Sequence, residues 1–265
     1  MTTLGAIFPP DLPPERLRPV ARAAEAAGLE QLWIWEDCFK ESGIATAAAL
    51  LGWTERLTVG IGLLPVPLRN VALTAMELAT LERLFPGRVV PGVGHGVLDW
   101  MGQVGARAGS PMTLLREYTS ALQQLLHGAT VTTAGRYVSL TDVALDWPPS
   151  PPPPVLVGAV RPKTAALAGE LGDGVILTGE ASPATSAELV QLTVGAPRDP
   201  DRPAPQVVAF ATVTDRAAPA DIAAGVAEWA AVGATTVALH AVGDDAYALE
   251  EFVELVASEV RPLVD

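Results

Sequence analysis

The sequence predicts an α/β protein folded as a closed (β/α)8 barrel. Three observations carry that expectation. Eight short apolar runs alternate with helical segments along the 265 residues. The runs are continuously hydrophobic rather than alternating, as parallel strands covered on both faces must be. The same strand–helix unit recurs along the whole chain, which points to one closed barrel spanning 1–265. An open doubly wound sheet is the alternative, and Gly92, Gly94 and Gly96 resemble its glycine signature. They lack the full dinucleotide fingerprint, and no acidic residue ends a following strand at the required distance.

The elements follow in order. Leu4–Phe8 is an apolar run stopped by Pro9 and Pro10. Arg16–Ala27 is helical, with Gly28 suited to the left-handed C′ position and Pro19 confined to the first turn, where proline is tolerated. Gln31–Trp35 is the second strand and runs into Glu36, Asp37 and Cys38. A helix over Ser42–Trp53 leads to a third strand, Leu57–Leu64. Asn70 can cap the next helix, whose Val71, Thr74, Leu78, Leu81 and Phe85 recur at helical spacing before Pro86 and Gly87 stop it. Val89 opens the fourth strand, which ends in the spaced glycines around His95. Glycines there lack a Cβ, so a ligand can approach the backbone, and the strand end is expected to floor a cofactor pocket.

Leu114–Leu126 is an amphipathic helix. Residues 128–154 form an excursion: a hairpin over Thr130–Leu140, then the stiff proline-rich stretch Pro148–Pro154. The alternation resumes with Val155–Val160 and helix Thr164–Leu171, then Gly174–Thr178 and helix Ala184–Thr193. Gln206–Thr214, helix Ala220–Val232, Thr235–Ala241 and helix Tyr247–Val260 complete the count.

Composition narrows the function. The net charge is −13, from 30 acids and 17 bases, which argues against nucleic acid and against anionic membrane surfaces. No apolar run approaches membrane-spanning length, and the proline-interrupted start does not read as a signal peptide, so a cytoplasmic protein is expected. One cysteine excludes an intrachain disulfide and a cysteine-cluster metal site, and three scattered histidines give no metal-ligand spacing. No metal site is expected. The nucleophile elbow of the α/β-hydrolases is absent.

A barrel of this kind works at the C-terminal ends of its strands, which selects the candidate residues. Arg161, Pro162, Lys163 and Thr164 follow the fifth barrel strand and open a helix. Free N–H groups at a helix start, an arginine, one of only two lysines and a hydroxyl suit a phosphate. Glu36 or Asp37 can accept a hydrogen bond from a cofactor or act as acid or base. Cys38 reads either as a proton donor or nucleophile or as a buried small hydrophobe; two acidic neighbours would raise its pKa and disfavour a thiolate. His95 is equally balanced between a ligand-binding and a structural role. His240 has a weaker case and His127 almost none.

Three stretches resemble the bacterial luciferase-like monooxygenase family: LEQLWIWEDCF, LTVGIGLLPVPLRNVALTAMELATLERLFPGRVVPGVGHG and PVLVGAVRPKTAALAGELGDGVIL. The likeness is nearest to the dehydrogenases and reductases that use the deazaflavin coenzyme F-420. It implies a (β/α)8 barrel of the luciferase-like type and an oxidoreductase that transfers hydride between F-420 and a small organic substrate. An FMN-dependent monooxygenase is the alternative. A cofactor-binding or interaction protein that has lost catalysis is a third reading.

By position, the resemblance puts Asp37 against the deazaflavin ring. It puts a bulge with a non-proline cis peptide at Gly62–Leu63, with Leu63 and Leu64 backing the ring. It puts His95 and Gly96 on the coenzyme, and Val160, Arg161, Lys163 and Thr164 around its phosphate. The family's usual histidine after the aspartate is Cys38 here, and a glutamate used by some members is Val97. Sugar-phosphate chemistry is therefore doubtful, and Cys38, Glu36 and His95 are left as catalytic candidates. Short loops late in the chain imply an open pocket or one completed by a partner subunit, as in a homodimer.

Overall fold

The computed structural model describes residues 1–179 and 181–264. Eight parallel strands close into a barrel in the order β1-β10-β9-β8-β7-β4-β3-β2. They are β1 (Thr3–Phe8), β2 (Gln31–Ile34), β3 (Thr58–Pro65), β4 (Val89–Gly94), β7 (Leu156–Ala159), β8 (Gly174–Leu177), β9 (Gln206–Thr214) and β10 (Thr236–Val242). β1 closes the ring by pairing both β2 and β10. Two antiparallel strands, β5 (Val131–Ala134) and β6 (Ser139–Val143), form the expected hairpin outside it.

The helices lie outside, and their starts and stops are chemical. α1 (Leu17–Ala27) ends on Gly28 at φ 78°, and α2 (Gly43–Trp53) is capped by Ser42. α3 (Val71–Leu84) is capped by the Asn70 carbonyl oxygen, which accepts from the Ala72 N–H at 2.9 Å. α5 (Pro111–Leu126) carries Glu117, whose carboxylate accepts the N–H groups of Arg136, Tyr137 and Val138 and so fastens the hairpin. α6 (Pro162–Leu171), α7 (Pro183–Val194) and α8 (Pro219–Ala231) each begin on proline, where the missing N–H costs nothing. A short helix, α4 (Leu98–Gln103), was not anticipated: it has too few turns for a readable period and its N-cap is Val97. The last helix also differs, since α9 (Leu249–Leu255) widens into a π-turn over Val256–Val260.

Two cores result. A large one lies between barrel and helices, and a small one inside the barrel holds Ile7, Trp33, Val90, Leu156, Ile176, Val208 and Ala238, with Trp35 and Phe210 packed on top. Among the described residues no helix is long and apolar enough to cross a membrane, and no side-chain group is arranged to hold a metal.

Candidate active site

The C-terminal mouth of the barrel is shaped by which side chains point inward. Inward-facing glycines carry much of the fit. A Cβ at Gly60 would lie 2.2 Å from the Trp33 ring, and one at Gly62 would lie 2.5 Å from Phe210. A Cβ at Gly94 or Gly158 would meet Leu63 at 2.6 or 2.1 Å. The glycines that end β4 therefore make room for a side chain of this chain, and not, as the sequence suggested, for the direct approach of a ligand to the backbone.

The Gly62–Leu63 peptide is cis, where the resemblance placed it, and the β3–β4 register shifts between Ile61 and Leu64. That shift separates the two leucines. Leu63 projects over the barrel interior, while Leu64, 2 % exposed, packs outward in the core beneath the helices. Leu64 cannot face a ring bound at the mouth, so its expected role is corrected.

Glu36 is a second correction. Trp33 and Trp35 turn inward at the end of β2, so strand alternation sends Glu36 outward. There both carboxylate oxygens take the Arg69 guanidinium in a two-point ion pair, and Oε2 also accepts the Gly43 N–H at 2.6 Å. Arg69 extends to Glu77 at 3.3 Å. Glu36 thus anchors the start of α2 to the loop after β3, with no geometry for acid–base work at the mouth.

Asp37 is half-buried. Burial pushes its carboxyl above the usual carboxylate range, Lys40 pulls it back, and Asp11 adds to the rise. Cys38 is raised by burial first and then by Glu36 and Asp37, which keeps it a thiol at neutral pH. The Cys38–Phe39 peptide is also cis, which nothing in the sequence indicated.

Across the mouth, the loops after β4 and β7 converge. His95 Nε2 lies 3.5 Å from Thr164 Oγ1 in the first turn of α6, and Thr164, 4 % exposed, also reaches Met112 Sδ. Thr164 thus holds His95 and is turned away from solvent. His95 Nδ1 is buried and makes no hydrogen bond of normal geometry. Burial pushes the imidazole pKa down, and the nearby Pro111 carbonyl offsets part of this. Val160, Arg161 and Lys163 are exposed at the start of α6, and neither cation has an ion-pair partner among the described residues. Gly96, at φ 68°, sits against Pro65 and Met101; a Cβ there would be 2.9 Å from the Pro65 side chain.

Sequence reasoning gave His240 a weak case and missed the two aromatic rings beside it. Trp35, Phe210 and His240 form an aromatic wall on the β2–β10–β9 side. Trp35 lies 5.1 Å from His240, edge to face, and 5.8 Å from Phe210. Trp33 supports Phe210 from below at 5.5 Å. Counting alternate residues from Trp33 along β2 would have found Trp35, and from Ala238 along β10 would have strengthened the case for His240.

The profile of the family described as luciferase-like monooxygenase matches residues 3–257. A 5,10-methylenetetrahydromethanopterin reductase of Methanolobus tindarius is 27 % identical over 201 residues, covering 75 % of this chain and 61 % of that protein. An F-420-dependent glucose-6-phosphate dehydrogenase of Kineococcus radiotolerans is 33 % identical over 180 residues, covering 62 % of this chain and 52 % of that protein. The chain therefore spans between half and two thirds of the length of these relatives. Among solved structures, the coenzyme F-420-dependent tetrahydromethanopterin reductase of Methanopyrus kandleri superposes with a TM-score of 0.82 at 19 % identity, covering 100 % of this chain and 99 % of that one. An F-420-dependent secondary alcohol dehydrogenase superposes at 0.84 with 17 % identity and the same coverage. At such identities the superpositions speak for the fold, and the profile match for the family. The chain belongs to the luciferase-like monooxygenase family.

Proposed function

We propose that the chain is an oxidoreductase that binds coenzyme F-420 across the barrel mouth and transfers hydride to or from a small organic substrate. The observation that carries this reading is the pair Arg161 and Lys163, exposed at the N-terminus of α6 without ion-pair partners among the described residues, in a chain of net charge −13. Unmatched cations at a helix start suit an anionic phosphate. His95 stands beside that loop, with Nε2 on Thr164 Oγ1 at 3.5 Å. The donor set therefore fits a flat coenzyme with a phosphate arm. The F-420-dependent relatives support the choice of F-420 over FMN.

When bound, F-420 supplies a hydride carrier; the protein's share is to place it and exclude water. Leu63 would back the ring from the barrel side. Asp37 and His95 would hold its polar edge, with Gly96 and Val160 completing the rim. Arg161 and Lys163 would hold the phosphate, and Thr164 would act through His95. Titration of the purified protein with F-420 and with FMN, followed by fluorescence, tests the reading. Saturable F-420 binding is expected. Arg161→Glu with Lys163→Glu should raise Kd about 100-fold, from roughly 1.4 kcal/mol per lost charged contact. Binding of neither cofactor, or unchanged affinity in the double variant, refutes it.

We further propose a homodimer in the cytoplasm. α2 carries no charged residue, and Trp53 on it is exposed. Its neighbour in the helical ring, α3, exposes Leu73, Met76 and Leu84, and Trp147 stands beside the last two across a groove of about 450 Å³. A second copy laid on these faces would cover these exposed apolar side chains. Sedimentation should give twice the 27.5 kDa chain mass; a monomer at micromolar concentration rejects this part alone.

A further inference from the structure

The aromatic wall has no role in holding the coenzyme as assigned above, and it faces the opposite side of the mouth from Arg161. Resting on the F-420 reading, we infer that this wall takes an uncharged, flat carbonyl substrate and that His240 carries the proton of its oxygen.

The substrate class follows from charge and shape. On the β1, β2, β9 and β10 side, three cations are matched by acids. Arg16 pairs with Glu250 at 2.7 Å, Arg216 pairs with Glu251 at 2.7 Å, and Lys40 lies by Asp37. A phosphorylated or carboxylate substrate would compete with these acids for the cations, and Asp11 and Asp37 would repel it. Trp35 and Phe210, inclined by only 32° to one another, offer instead the faces on which a flat apolar molecule packs. This separates the chain from relatives named for glucose 6-phosphate.

The proton carrier follows by accounting for the three histidines. His127 lies at the exposed end of α5 with Nδ1 on the Gln123 carbonyl at 2.7 Å. His95 has one ring nitrogen buried and the other on Thr164. His240 is half-buried at the mouth and makes no hydrogen bond among the described residues. Its ring is fixed by Trp35, and the neighbouring strand position is Thr212. Asp11, from the loop after β1, is the charged group that bears on it; Asp37, after β2, is the other acid on this edge. Burial holds the imidazole below its ordinary pKa, with Asp11 opposing. Reduction of C=O to an alcohol needs a hydride at carbon, from the reduced carrier, and one proton at oxygen. The His240 imidazolium gives that proton and regains it from solvent; in oxidation the neutral ring takes it. Reduction should therefore slow as pH rises through the His240 pKa, and oxidation should quicken.

The test uses protein labelled at histidine, loaded with F-420, and two probes: 2-acetonaphthone and glucose 6-phosphate. Three ring signals are expected. The ketone should shift the one that disappears in His240→Gln, and glucose 6-phosphate should shift none. His240→Gln should keep the wild-type Kd for F-420 within twofold. It should lower ketone turnover about 100-fold, flatten the pH profile, and leave KM nearly unchanged. A His240 shift with glucose 6-phosphate and none with the ketone overturns the substrate class. Wild-type turnover and pH profile in His240→Gln overturn the proton role. Failure to load F-420 at all is seen first, in the cofactor titration, and removes the reading on which this inference rests.

Discussion

The placement of Glu36 can be tested most sharply through Arg69. Both side chains are largely buried, at 7 % and 15 % exposure, so the pair belongs with interior ion pairs and not with surface ones. Arg69→Met removes the cation and leaves the Glu36 carboxylate with the Gly43 N–H as its remaining partner; Glu77 loses its partner as well. Uncovering a buried charge in this way costs about 3–5 kcal/mol. Glu36→Gln is milder. The amide oxygen still accepts from Gly43, and Arg69 keeps Glu77, so the loss is about 1.5–3 kcal/mol for a charged hydrogen bond. The double variant should cost less than the sum by about 0.5–3 kcal/mol, because the second change removes the charge that the first exposed. In a chain of this length 1 kcal/mol moves Tm by roughly 2–4 °C, so Arg69→Met should melt about 10 °C early. Urea denaturation of the four proteins at pH 7, read at the midpoints with a shared slope, measures the cycle. A cost under about 1 kcal/mol for Arg69→Met, the value of an exposed pair, refutes the structural reading. So does a Glu36→Gln protein of full stability with no turnover.

Two further outcomes are expected. Gly158→Ala puts a Cβ 2.1 Å from Leu63 Cδ2, so the leucine must move, at about 1–3 kcal/mol. Thermal melts should show most of that loss restored in Gly158→Ala with Leu63→Ala, and the single variant should also weaken F-420 binding; additive losses reject the contact. Glu82, 4 % exposed on α3, has Oε1 on the Gly87 N–H at 2.6 Å, Oε2 unpartnered, and a pKa raised by burial. Because its folded pKa is raised, its stabilising contribution is complete below the unfolded value and is lost as pH rises through the folded one. Glu82→Gln should have a higher urea midpoint than wild type at pH 7, with the gap narrowing as pH falls through the carboxylate range; a gap that widens on acidification contradicts this.

The fold was legible because its signals are local and redundant. Each buried parallel strand is an apolar run, and the residues that stop or start the helices act within one turn: Gly28 in the left-handed region, Ser42 and Asn70 as acceptors for free N–H groups. The start of α6 was legible for the same reason, since Pro162 opens the helix with Arg161 and Lys163 exposed beside it. What failed was direction. Leu63 and Leu64 are adjacent, yet one faces the mouth and the other the outer core, and the register shift that decides between them is a property of the β3–β4 pair. Glu36 drew attention as a carboxylate at a strand end, although the facing of Trp33 assigns it outward.

That facing has a consequence for the chemistry. Several inward positions on β3, β4 and β7 are glycines, and large side chains fill the space they leave: Trp33 of β2 at Gly60, Phe210 of β9 at Gly62, Ile176 of β8 at Gly92, and Leu63 of β3 at Gly94 and Gly158. Large side chains from one part of the ring thus close the barrel from beneath, and the surface left at the mouth is apolar. Asp37, His95 and His240 stand on the rim around that floor. His95 is tied to the loop with the unmatched cations, and His240 to the aromatic wall opposite. One rim side is suited to an anionic carrier and the other to a neutral substrate, with an apolar floor between them. Carrier and substrate would then meet face to face, away from water. On the inference drawn above, proton transfer would fall to His240, since His95 Nε2 is held by Thr164.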